Sequence, residues 1–123
     1  MNLFPPTKEA LAVRPKIPGL IAAPFRSVHA DASLNLDAIE PHAAWLREQD
    51  VADAFVCGTT GEGMSLTVDE RMHVAERWSR VAPPGFRVMV HVGHNSLENC
   101  RWLAAHAQEI GADRCRWRTG GRA

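Results

Sequence analysis

Short apolar runs separated by longer helical stretches constrain this chain more than any other feature of its sequence. Leu20-Ile21-Ala22-Ala23 follows Gly19 and stops at Pro24, and Ala54-Phe55-Val56-Cys57 stops at the stretch Gly58-Thr59-Thr60-Gly61-Glu62-Gly63. Arg87 to Val92 forms another such run. Short apolar segments bounded by Gly or Pro read as buried strands. Between them the period changes: Leu36, Ile39, Ala43 and Leu46 recur at helical spacing within residues 35–49, with Pro41 making the start of that helix its least defined boundary. Thr67 and Glu70 form a capping box that opens a helix running to Ala82, where Pro83, Pro84 and Gly85 stop it. Asn95 or Ser96 caps a further helix, whose Leu97, Cys100, Ala104, Ala107 and Ile110 line one face until Gly111 ends it. Repeating strand–helix units of about 30 residues predict an α/β fold with a parallel sheet and right-handed crossovers. Both a doubly wound sheet and part of a (β/α) barrel satisfy that pattern. In either, the ligand end is the C-terminal edge of the strands, where Pro24, the loop 58–63 and Gly93-His94-Asn95 meet.

Three segments follow from this reading. Residues 1–18, with Pro5, Pro6, Pro15 and Pro18, form an extended leader; 19–113 hold the repeating units; 114–123 form a basic tail. The zero net charge divides unevenly: residues 1–113 carry ten basic and fourteen acidic side chains, net −4, and Arg114, Arg116, Arg118 and Arg122 give the last ten +4. An acidic body without a basic face argues against nucleic acid as a partner. No apolar stretch approaches the roughly 18 residues of a membrane span, and the first residues lack the apolar core of a signal peptide, so a cytoplasmic protein without a membrane partner is expected. Cys57, Cys100 and Cys115 are odd in number and irregularly spaced, which fits reduced thiols. Tyr is absent, and Lys8 and Lys16 are the only lysines.

The loop 58–63 is the strongest candidate for chemistry. Its glycines admit close approach by a ligand, Thr59 and Thr60 add hydroxyls, and amides in such a turn suit a small carboxylate or phosphate. It has neither the GxxxxGK[ST] order of a P-loop nor the GxGxxG order of a dinucleotide turn. A tight strand-to-helix turn without a ligand is the competing reading. Glu62 is expected to be structural, held by nearby backbone amides. Cys57, His91 and His94 fall near the same strand ends and are candidate zinc ligands, but ordinary packing of a cysteine and a histidine on apolar strands is the better reading. His29, His42, His73 and His106 suggest no site, and Trp45, Trp78 and Trp102 fit helix faces packed on a sheet.

Taken together, AFVCGTTGEGMSL, then TVDER, then VMVHVG with NSL, then AAHAQEIGAD resemble the N-terminal part of the dihydrodipicolinate synthase and N-acetylneuraminate lyase family. The resemblance covers Gly19 to Asp113, and HVG followed by NSL is closer to the lyase branch. It implies the N-terminal (β/α)3 portion of a TIM (β/α)8 barrel, usually found as a homotetramer, with no cofactor. Family members join a strand-six lysine to the ketone of pyruvate as a Schiff base and then make or break a carbon–carbon bond. By resemblance, Thr59 and Thr60 hold the pyruvate carboxylate, and the Thr59 hydroxyl joins a proton relay to a strand-five tyrosine. No position here matches that lysine or tyrosine, so the resemblance implies a truncated aldolase inactive on its own. The residues after Asp113 replace an apolar fourth strand and read as out-of-frame translation. Ala32, Asp50 and Asp53 stand where the family often has glycine, which suggests relaxed constraint. Open edges predict self-association or aggregation; a non-catalytic module binding a partner or a homologous barrel is the alternative function, and metal-assisted chemistry at Cys57, His91 and His94 a more distant one.

Overall fold

The computed structural model describes residues 19–116; the expected leader and most of the basic tail lie outside the described residues. Four strands form one parallel sheet in the order β1 (Ile21–Ala22), β2 (Asp53–Val56), β3 (Arg87–His91) and β4 (Arg114–Arg116). The register pairs Ile21 with Asp53, Asp53 with Arg87, and Met89 with Arg114. Between the strands run α1 (Ile39–Glu48), α2 (Val68–Val81) and α3 (Leu97–Glu109).

Local chemistry accounts for each helix boundary. A 3-10 turn at Leu36–Ala38, capped by the Asn35 side chain accepting from the Ala38 amide at 3.3 Å, leads into α1. Pro41 is the third residue of α1, where a missing N–H forfeits no helical bond. The Thr67–Glu70 capping box is present in both directions, at 3.1 and 3.0 Å. Ser96, not Asn95, caps α3 by accepting from the Asn99 amide.

The helices pack side by side on one face of the sheet. Ile39, Ala43 and Leu46 of α1, Val74, Ala75 and Trp78 of α2, and Leu103 and Ala107 of α3 meet Ala54, Val56, Val88 and Val90 in one core. The strands therefore alternate. Ala54 and Val56 enter the core cluster while Phe55 does not, and Val88 and Val90 enter while Met89 does not. On α3 the buried face is Cys100, Leu103 and Ala107; Leu97, expected on it, is exposed because it stands at the first turn, beyond the reach of the sheet. No helix among the described residues is long and apolar enough to cross a membrane.

Two expectations need correction. Residues 114–116, assigned from sequence to the tail, pair with β3 as a fourth strand. Parallel pairing uses the backbone, and Asp113 anchors the junction: its amide donates to the Val88 carbonyl at 3.0 Å and its carboxylate accepts from the Val88 amide at 2.8 Å. Asp53 needs no glycine-type backbone and is not a relaxed position. It is absent from the positive-φ residues, whereas Ala32 (φ 69°) and Asp50 (φ 64°) do adopt the left-handed conformation that favours glycine. The Asp53 carboxylate is fully buried and accepts from Arg87 Nε at 2.5 Å and Nη2 at 3.2 Å.

Candidate active site

At the C-terminal end of β2 the chain turns sharply. Cys57 is buried at φ 60°, and Glu62, five residues on, takes φ 52°. The Glu62 amide donates to the Thr59 carbonyl and the Gly63 amide to the Gly58 carbonyl, each at 3.0 Å, closing the loop on itself. Sterics fix two of its glycines: a Cβ on Gly63 would lie 1.9 Å from the Cys57 oxygen, and one on Gly61 would lie 3.1 Å from both the Cys57 nitrogen and the Pro24 oxygen. The tip is left outside this closure. Thr59 and Thr60 are exposed, and the amides of Thr59, Thr60 and Gly61 donate to no acceptor among the described residues. Three successive unpartnered N–H groups lie on this tight turn, two of them on exposed residues, and donors of that kind suit a small anion.

Glu62 is structural, though not in the way expected. Its carboxylate meets Arg26 Nε at 2.5 Å, tying this loop to the segment after β1. The left-handed backbone at Glu62 carries its side chain toward Arg26, and no backbone amide takes part.

Below the loop lies Arg71 of α2, only 1% exposed. Its guanidinium donates to the His91 carbonyl at 2.6 Å and the Gly93 carbonyl at 2.7 Å, with Nη2 also 3.2 Å from His91 Nδ1. Burial lowers its pKa, although a guanidinium starts so high that it stays charged. Sequence reasoning passed over this residue. The available signal was its position one turn before Val74, Ala75 and Trp78, a charge placed on the apolar face of α2.

The residues of the zinc alternative are each otherwise engaged. Burial pushes the Cys57 thiol up to about 11, against the opposing pull of the Arg71 charge, and the thiol points at the Arg71 carbonyl at 3.9 Å. A thiol this protonated is a poor ligand and nucleophile. The His91 ring packs edge-on against Phe55 at 5.7 Å, and His94 Nδ1 accepts from the Ser96 amide at 2.9 Å. Among the described residues no group of three or more His, Cys, Asp or Glu is gathered to hold a metal ion.

Beside the loop, the segment after β1 covers a small cavity of about 20 Å³ lined by Phe25, Arg26, His42, Cys57, Gly61 and Trp78 among others, room for one water. Burial lowers the pKa of His42, whose ring stands edge-on to Trp78 at 5.6 Å and tilted to Phe25 at 6.2 Å.

A one-sided parallel sheet with a glycine-rich turn at a strand's C-terminal end is the architecture of a (β/α)8 barrel in part. The sequence model of the Dihydrodipicolinate synthetase family matches residues 16–117, and the chain belongs to that family. The N-acetylneuraminate lyase of Danio rerio is 45% identical over 100 residues, and N-acetylneuraminate lyase A of Xenopus laevis 46%, each alignment covering 80% of this chain and 33% of the relative. The solved N-acetylneuraminate lyase of Proteus mirabilis superposes with a TM-score of 0.80 at 37% identity, covering 84% of this chain and 35% of that one. A dihydrodipicolinate synthase from Aquifex aeolicus gives 0.76 at 28% identity, over 80% of this chain and 33% of its own. The chain thus spans about a third of the length of these relatives, and its fold is the corresponding open portion of a TIM barrel.

Proposed function

We propose that this chain supplies the carboxylate-binding part of a Schiff-base aldolase site of the N-acetylneuraminate lyase type, with pyruvate as the 2-oxo acid. The observation that carries the reading is the run of open amides at Thr59, Thr60 and Gly61 beside two exposed hydroxyls, at the C-terminal end of a barrel strand. In this reading the Thr59 and Thr60 groups orient the carboxylate, and the Thr59 hydroxyl passes a proton to the reacting oxygen. The covalent nucleophile, a lysine amine, and the tyrosine of the relay belong to barrel units that lie beyond the third of the relatives matched here. The described residues contain no lysine, and the sequence contains no tyrosine. The 123 residues by themselves therefore bind pyruvate weakly and turn nothing over.

A chimera tests this. Residues 19–113 replace the matching segment of the Proteus mirabilis lyase, and borohydride trapping of pyruvate together with N-acetylneuraminate cleavage are measured. The expected result is a trapped adduct on the host lysine. Thr60→Val should then raise KM about tenfold or more, the size of one lost hydrogen bond to a charged group. A folded chimera that traps no pyruvate overturns the reading.

A second reading has its own support. Leu20, Ile21 and Phe25 are exposed along the β1 edge, at 71%, 47% and 69%. An uncovered apolar edge favours self-association or docking on a homologous barrel. Size-exclusion chromatography at several concentrations checks it, and a monomer at all of them counts against it.

A further inference from the structure

The ends of β2 and β3 enclose a positive charge without a negative partner. Every oxygen that the Arg71 guanidinium touches is a neutral carbonyl, its Nε has no acceptor, and no carboxylate pairs with it among the described residues. Carbonyl dipoles solvate a cation without cancelling its charge, so its field persists through the surrounding low-dielectric region. Burying an uncompensated charge is costly, and an apolar side chain would complete the stripe of Val74, Ala75 and Trp78 at less cost. The expense falls where it can act on a ligand. Cys57, whose thiol is 3.9 Å from the Arg71 carbonyl and feels the pull of the Arg71 charge, leads directly into the loop with the unpartnered amides of Thr59, Thr60 and Gly61.

We propose that Arg71 is a positioning residue for an anionic ligand: its unneutralised charge behind the loop 58–63 draws a small carboxylate to the open amides, and its bonds to the His91 and Gly93 carbonyls hold the end of β3 beside them. Arg71 touches no ligand itself. It acts through its field and through the strand end it pins. Arginine suits the task because it carries its charge into such burial while forking to two acceptors. This inference rests on the carboxylate-binding reading given above.

The test titrates the ¹⁵N-labelled 123-residue chain with sodium pyruvate and follows the amide shifts of Thr59, Thr60 and Gly61. Arg71→Gln removes the charge and keeps a hydrogen-bonding group; Arg71→Lys keeps the charge and loses the fork. Loss of one unit charge acting through the protein is expected to weaken pyruvate binding about tenfold in Arg71→Gln. Arg71→Lys should stay within about threefold of the unaltered chain, since a purely structural arginine would not be rescued this way. Equal losses in the two variants, or unchanged affinity in Arg71→Gln, overturn the proposal. Should Arg71→Gln fail to fold, Arg71→Lys decides: retained affinity supports the proposal and a tenfold loss overturns it. No pyruvate-dependent shift at residues 59–61 of the unaltered chain overturns the carboxylate-binding reading itself, and this inference with it.

Discussion

The two ends of the parallel sheet are built on opposite terms. At the N-terminal end the polar groups are matched: Asp53 with Arg87, the Asp113 carboxylate with the Val88 amide, and the Arg87 amide with the Ala52 carbonyl. At the C-terminal end Cys57 and Glu62 sit in left-handed backbone, the amides of Thr59 to Gly61 have no partner among the described residues, and Arg71 is buried without a carboxylate. The same strands run through both ends, so neither composition nor burial separates them. Left-handed backbone occurs at both ends, at Asp50 before β2 as well as at Cys57 and Glu62 after it, so what distinguishes the C-terminal end is its run of unpartnered loop amides and its buried, unpaired guanidinium.

The largest effect is expected at the C-terminal end. Gly63→Ala places a Cβ 1.9 Å from the Cys57 carbonyl oxygen, backbone against backbone, with no flexible side chain to yield. Urea unfolding should show a loss of about 3 kcal/mol or more, together with displaced amide shifts at Thr59 and Thr60. A stable Gly63→Ala variant with an unmoved loop would mean that the turn is not fixed by this contact. The opposite end gives the second effect. Asp53→Ala removes the buried carboxylate partner of the Arg87 guanidinium, but Arg87 is one-third exposed and regains water. That moderates the 3–5 kcal/mol typical of broken buried pairs to about 2 kcal/mol. The loop amides of residues 59–61 should not respond; if they do, the two ends are coupled and the contrast fails.

How much of this was legible in the sequence differs by residue. The capping box at Thr67, the strand ends and the loop 58–63 follow from local rules, so periodicity and turn chemistry reached them. Asp53 did not follow: its likeness to a glycine position hid a pairing with Arg87, 34 residues away, which no local pattern encodes. Arg71, Arg26–Glu62 and the fourth strand share that non-local character. Asp50 offers an internal check. It ends α1 in a Schellman motif, its amide donating to the Arg47 carbonyl and the Val51 amide to the Leu46 carbonyl; Gly111 ends α3 in the same pattern with Gln108 and Ala107. Both take positive φ, 64° and 76°, so only the residue type differs. Asp50→Gly should therefore raise stability, by about 0.5–1 kcal/mol in urea unfolding, while Gly111→Asp should lower it by a similar amount. A clear loss on Asp50→Gly would show that the carboxylate has a role beyond backbone geometry.

The smallest expected effect lies in pH. His42 lines the cavity with Phe25, Cys57 and Gly61, and burial holds its pKa below the ordinary value of 6.5. The unfolded chain then takes up a proton at higher pH than the folded chain does. Stability is complete above 6.5 and declines as pH falls through that value toward the folded pKa, because the unfolded state binds more protons across the interval. Asp31 acts in a separate window. The Ser33 hydroxyl and amide hold its carboxyl below 3.8, so its contribution is present above that pH and fades only as pH falls below it. Thermal midpoints measured between pH 7 and 5 isolate the histidine. His42→Phe, which keeps a ring against Trp78, should flatten the decline, and Asp53→Ala should leave its slope intact while lowering the whole curve. An unchanged slope in His42→Phe would move the titrating group elsewhere and remove pH sensitivity from the C-terminal end of the sheet.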